Sequence, residues 1–104
     1  MKKLLQACRT FNKERDWDQF HTAENLAKSI SIEAGELLEC FQWSSDYDRE
    51  ALLEELGDVT IYCVMLADLL SVDLEENGLA KLAKAAQKYP VEKARGKSTK
   101  YDKL

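Results

Sequence analysis

The sequence predicts a small all-α protein, and three observations carry that expectation. One proline and four glycines in 104 residues leave long stretches without a helix breaker. No run of alternating apolar and polar residues stands between turn signals, as a half-buried strand would require. Four segments instead repeat apolar residues at helical spacing.

Taken in order, the first helix is expected over roughly Lys2 to Glu14. The second covers roughly Thr22 to Trp43, with Thr22 as N-cap and Ala23, Leu26, Ile30, Ala34, Leu37 and Phe41 on one face. The polar stretch Ser44 to Asp48 ends it. A third helix runs roughly from Arg49 to Leu70, and a fourth from Leu74 to Lys88, with Asp73 as cap and Pro90 just past its end. From Val59 to Leu70 apolar residues point in nearly every direction, which a surface helix does not tolerate, so the third helix should be central. A bundle of about four helices rarely encloses one of them alone, and a homodimer or homotetramer is expected to complete it. Residues 1–90 read as one domain and 91–104 as a basic tail, where Lys93, Arg95, Lys97, Lys100 and Lys103 outnumber Glu92 and Asp102.

The formal net charge of −4 argues against a polynucleotide partner, because that affinity comes mainly from basic groups displacing counterions. Cys8, Cys40 and Cys63 are odd in number and lack CxxC spacing, so they read as reduced thiols of a cytoplasmic protein rather than a disulfide framework or zinc site. The most apolar stretch, Val59 to Ala67, stops at Asp68, short of a bilayer span. No membrane partner is expected.

Chemistry concentrates in two acidic pairs. Glu33 and Glu36 are three residues apart on the second helix, and Glu55 and Asp58 are three apart on the third, so each pair projects from one side of its helix. In an antiparallel hairpin turning near Ser45 and Asp46, Glu36 lies level with Glu55 and Glu33 with Asp58. Partly buried carboxylates so gathered need protons or cations between them, and an all-oxygen anionic set suits hard ions, Mg²⁺ or Mn²⁺. A solvated acidic face is the plain alternative for any single pair. A di-iron carboxylate bundle would need Glu-x-x-His motifs, and the one histidine, His21, lies outside both pairs; ordering the turn before the second helix is its expected role.

Each acidic pair leads into an aromatic on its own face, Glu36 into Trp43 and Asp58 into Tyr62. A metal that grips phosphates beside a ring that stacks on a base suits a nucleotide. The hairpin, however, separates Trp43 from Tyr62 by about 20 Å of helix axis. Trp17 lies in the Arg15-Asp16-Trp17 turn, where a core role is hard to assign. The basic tail, including Lys93 and Arg95, could meet a substrate's phosphates or a neighbouring subunit.

These residues resemble the MazG-like family of all-α nucleotide pyrophosphohydrolases, and within it the dCTP pyrophosphatase branch. The resemblance rests on Glu33-Ala34-Gly35-Glu36, Glu55-Leu56-Gly57-Asp58, Glu14-Arg15-Asp16-Trp17, Phe41-Gln42-Trp43 and the stretch Lys88 to Gly96. It implies that the four carboxylates hold Mg²⁺ and that Trp17, Trp43 and Tyr62 help form the pocket for base and sugar. The implied reaction is hydrolysis of a nucleoside triphosphate, dCTP or a modified dCTP, to the monophosphate and pyrophosphate, in nucleotide-pool housekeeping. Glu33 and Glu36 are then the two candidates for general base. Cys8 stands where relatives often carry a substrate-contacting histidine, and Ala85 where a polar residue is common, so base selectivity is the property the resemblance does not carry over. The rival from another class is a non-catalytic nucleotide- or metal-binding helical module, which would bind and release no product.

Overall fold

Helical spacing and end signals set the architecture of the computed structural model, which describes residues 1–104. Five α-helices follow one another: α1 Lys2–Glu14, α2 Ala23–Glu39, α3 Arg49–Leu69, α4 Leu74–Lys88 and α5 Val91–Ala94. The expected all-helical fold holds. Single 3₁₀ turns at Asp18–Phe20 and Tyr101–Lys103 complete it, and none of the helices is long and apolar enough to cross a membrane.

The chain forms two compact units, Met1–Leu74 and Glu75–Leu104. In the first, α3 packs against both α2 and α1. The core gathers Cys8 from α1, Leu26 from α2, and Val64 and Met65 from α3, with Leu4, Leu5, Ile61, Tyr62, Leu66 and Leu74 packed against it. Leu26 is only 1% exposed, the most completely enclosed of the large side chains. Central placement of α3 within this unit follows its apolar content, as expected. Several of its leucines nevertheless remain exposed, among them Leu53 and Leu56, as do Ile32 and Leu38 on α2.

Caps fix where the hairpin helices begin. Thr22 Oγ1 accepts the Asn25 N–H at 3.1 Å, and Asp48 Oδ1 accepts the Glu50 N–H at 3.0 Å, each satisfying a backbone donor left over at a helix start. α2 ends at Glu39, earlier than the expected Trp43. The N–H groups of Phe41 and Gln42 bond the carbonyls of Leu38 and Glu39, so the chain tightens to three-residue spacing before the polar stretch is reached. Trp43 therefore leaves the helix and stands in the turn. α3 closes with Ser71 at φ 58°, its N–H bonding the Asp68 carbonyl while the Val72 N–H bonds that of Ala67. This paired closure leaves a non-glycine residue in the left-handed region.

In the second unit, α4 ends at Lys88 and residues 91–104 carry α5 and the final 3₁₀ turn. Tyr101 meets Tyr89 edge-on at 6.1 Å, and Lys88 Nζ sits 4.7 Å from the Tyr101 ring centroid. These contacts return the expected tail to the end of α4.

Candidate metal centre and adjoining cleft

The antiparallel α2/α3 hairpin brings both acidic pairs together. Glu33, Glu36, Glu55 and Asp58 each present an oxygen within 4.8 Å of the others. Glu36 is exposed, whereas the other three are half-buried. Two oxygens in this group, Glu33 Oε2 and Glu55 Oε2, are shut off from the surface and accept no hydrogen bond.

Such crowding is visible in the acidity of the group. The Glu33 carboxyl is pushed up to about 7, first by hydrogen bonding with Glu36, then by burial, then by the charges of Glu36, Asp58 and Glu55. Burial is the first cause that raises Glu55, followed by the Glu36 charge and a hydrogen bond with Glu36, then by Asp58 and Glu54. Like charges held this close make ionisation costly, and a cation between them removes that cost. The residues therefore fit a hard divalent ion: every donor is a carboxylate oxygen, and two buried oxygens lack any other partner.

A cleft of about 400 Å³ opens in the same unit. Leu26 and Met65 line it. Leu26 precedes Glu33 by seven residues on α2, and Met65 follows Asp58 by seven on α3. Seven residues is nearly two full turns, so cleft and carboxylates share one face of the hairpin, about 10 Å apart along its axis. Asn12 and His21 also line the cleft, as do Arg9 and Asp68, which form a two-pronged ion pair of 2.6 and 3.0 Å. Asn12 Oδ1 and His21 Nδ1 are both buried without a hydrogen-bond partner. Cys8 contributes a buried thiol, raised by burial and then by the Asp68 charge.

The aromatics are dispersed. Trp17 packs edge-on against Phe11 at 5.5 Å and His21 at 6.5 Å, placing it beside the loop that feeds the cleft wall. The His21 backbone N–H closes the turn on the Asp18 carbonyl, a bond that does not depend on its imidazole. Tyr62 packs against the core, and Trp43, 89% exposed, stands at the opposite end of the hairpin from the cleft. The chain by itself does not bring Trp43 and Tyr62 together. Lys93 lies in α5 and Arg95 caps it, both in the second unit. Asn12 and the Arg9–Asp68 pair escaped the sequence reading. Asn12 continues the Leu5 and Cys8 stripe of α1, so a polar residue at a core position was the available signal.

The chain is 44% identical to dCTP pyrophosphatase 1 of Mus musculus and 43% identical to that of Homo sapiens, each match covering 90% of this chain and 61% of the relative. It thus spans less than two thirds of the length of these relatives. A solved pyrophosphatase structure from Archaeoglobus fulgidus superposes with a TM-score of 0.78 at 40% identity, covering 86% of this chain and 92% of that one. The model of the MazG-like family matches residues 28–104, a span that holds both acidic pairs. The chain belongs to the MazG-like family.

Proposed function

We propose that this protein hydrolyses a deoxynucleoside triphosphate, dCTP or a modified dCTP, to the monophosphate and pyrophosphate in a Mg²⁺-dependent reaction. One observation carries the reading: four converging carboxylates, two with unpartnered buried oxygens, share a helical-hairpin face with a cleft of nucleoside size. The separation of about 10 Å suits a nucleotide with phosphates at the acids and base in the cleft. The relatives named dCTP pyrophosphatase 1 supply the substrate class.

Glu33, Glu36, Glu55 and Asp58 would hold the ion. When bound, Mg²⁺ neutralises phosphate charge and makes nearby water more acidic. Water attacks the α-phosphorus, the bond from that phosphorus to the bridging oxygen breaks, and pyrophosphate leaves. Glu36, the exposed member, is the carboxylate with solvent access and takes the proton of the attacking water, with Glu33 as the other candidate. Trp17 and Tyr62 flank the base and sugar, and Lys93 and Arg95 meet phosphates. Trp43 reaches a nucleotide through a second copy of the chain, whose docking also covers the exposed apolar residues of α2 and α3. A role in cytoplasmic nucleotide-pool housekeeping accords with three unpaired cysteines.

Incubation with a panel of canonical and modified triphosphates, with and without Mg²⁺, tests this directly. Pyrophosphate release from dCTP that stops on chelation is expected. Calorimetric binding with no product from any triphosphate would favour the non-catalytic binding module.

A further inference from the structure

A buried polar group without a partner is destabilising, so a fold keeps one where something else completes it. Asn12 is such a residue. It is 5% exposed, sits on the core stripe of α1 and lines the cleft, and its enclosed Oδ1 accepts nothing from this chain. Its backbone carbonyl is fully used, accepting the N–H groups of Trp17 at 2.9 Å and Arg15 at 3.3 Å, and so anchors the loop that carries Trp17 and His21. Only the amide side chain is unspent. An apolar residue would fill that place on α1 at no hydrogen-bonding cost, as Cys8 and Leu5 do one and two turns earlier.

We propose that Asn12 is a specificity-determining residue that reads the amino-bearing edge of the base. Its Oδ1 accepts a hydrogen bond from the exocyclic amino group of cytosine, while its amide N–H faces the adjacent ring nitrogen. This deepens the nucleoside triphosphate reading and rests on it for the ligand. The complementarity is directional. An amide carries one acceptor and one donor side by side, and the amino group and ring nitrogen of cytosine present the reverse order. Uracil puts a carbonyl oxygen where cytosine has its amino group, which would set acceptor against acceptor inside a dry wall. The neighbouring His21 Nδ1, also buried and unpartnered, gives the same wall a second polar contact, with its ring steadied edge-on by Trp17. None of the four carboxylates can do this reading, since they lie about 10 Å along the hairpin.

The test compares wild type with Asn12→Leu and Asn12→Ala, using dCTP and dUTP as substrates. Both variants should lower kcat/KM for dCTP by about 100-fold and change that for dUTP by less than about threefold, collapsing the preference. Both retain the backbone carbonyl that holds the loop, and Asn12→Leu should melt no lower than wild type, because it removes an unsatisfied amide rather than a contact. An unchanged dCTP to dUTP ratio, or a shift towards dCTP, in folded variants overturns the assignment. If wild type hydrolyses no triphosphate, the proposed activity fails, and calorimetry with dCMP and dUMP then decides Asn12 separately. Preference of wild type for dCMP that is lost in Asn12→Leu supports the inference; equal binding of the two by wild type contradicts it.

Discussion

At the scale of single residues, this fold holds charge in two opposite ways. Arg9 and Asp68 form a matched pair, and the guanidinium bonds lower the Asp68 carboxyl below its ordinary value. Such a group contributes stability above its unfolded value, and the contribution is lost as pH falls through the lower folded value. A double-mutant cycle of Arg9→Ala and Asp68→Ala should therefore show favourable coupling at about pH 6 that vanishes once the solution is acidified below the usual carboxylate range. Glu33 stands in the opposite position, raised to about 7 by its neighbours. Its stability contribution, full below the ordinary carboxylate value, is lost as pH rises through about 7. Hence Glu33→Gln should melt higher than wild type at about pH 8 in chelator, yet gain less from added Mg²⁺. Equal Mg²⁺-induced shifts in the two proteins would remove Glu33 from the ion site.

At the scale of elements, helix ends and faces explain what could be read in advance. The starts of α2 and α3 were legible because Thr22 announces itself as a cap and Asp48 closes a polar stretch. The acidic pairs were legible because three-residue spacing fixes direction on a helix, and short connections make neighbours antiparallel. The early end of α2 was not, since Phe41, Gln42 and Trp43 continue a plausible helical pattern and only the switch to tighter hydrogen bonding stops it. The fold-back of residues 91–104 depends on Tyr101 finding Tyr89, a contact no local pattern specifies. Asn12 interrupts the apolar stripe of α1 in the sequence, but that its Oδ1 goes without a partner is decided only by the fold. The closure of α3 supplies a stability prediction. Ser71 pays the left-handed penalty at φ 58° that glycine avoids, so Ser71→Gly should stabilise the protein by about 1 kcal/mol in urea unfolding. A destabilised variant would show that the serine side chain outweighs that strain.

For the whole molecule, Ile32, Leu38, Leu53 and Leu56 are exposed, and we propose that a second copy of the chain covers them. Association that buries them predicts a melting temperature that rises with protein concentration; a midpoint constant over a hundredfold dilution would argue for a monomer. The four converging carboxylates are placed where a divalent ion would fit, and we propose that this centre cleaves a triphosphate. It is tested most directly by pyrophosphate release from dCTP in Mg²⁺ by wild type and by Glu36→Gln, which removes one negative oxygen donor while keeping the side-chain shape. A loss of at least about 100-fold in kcat is expected for the variant, with its helical fold intact. Mg²⁺-dependent pyrophosphate release at the wild-type rate from Glu36→Gln would contradict it.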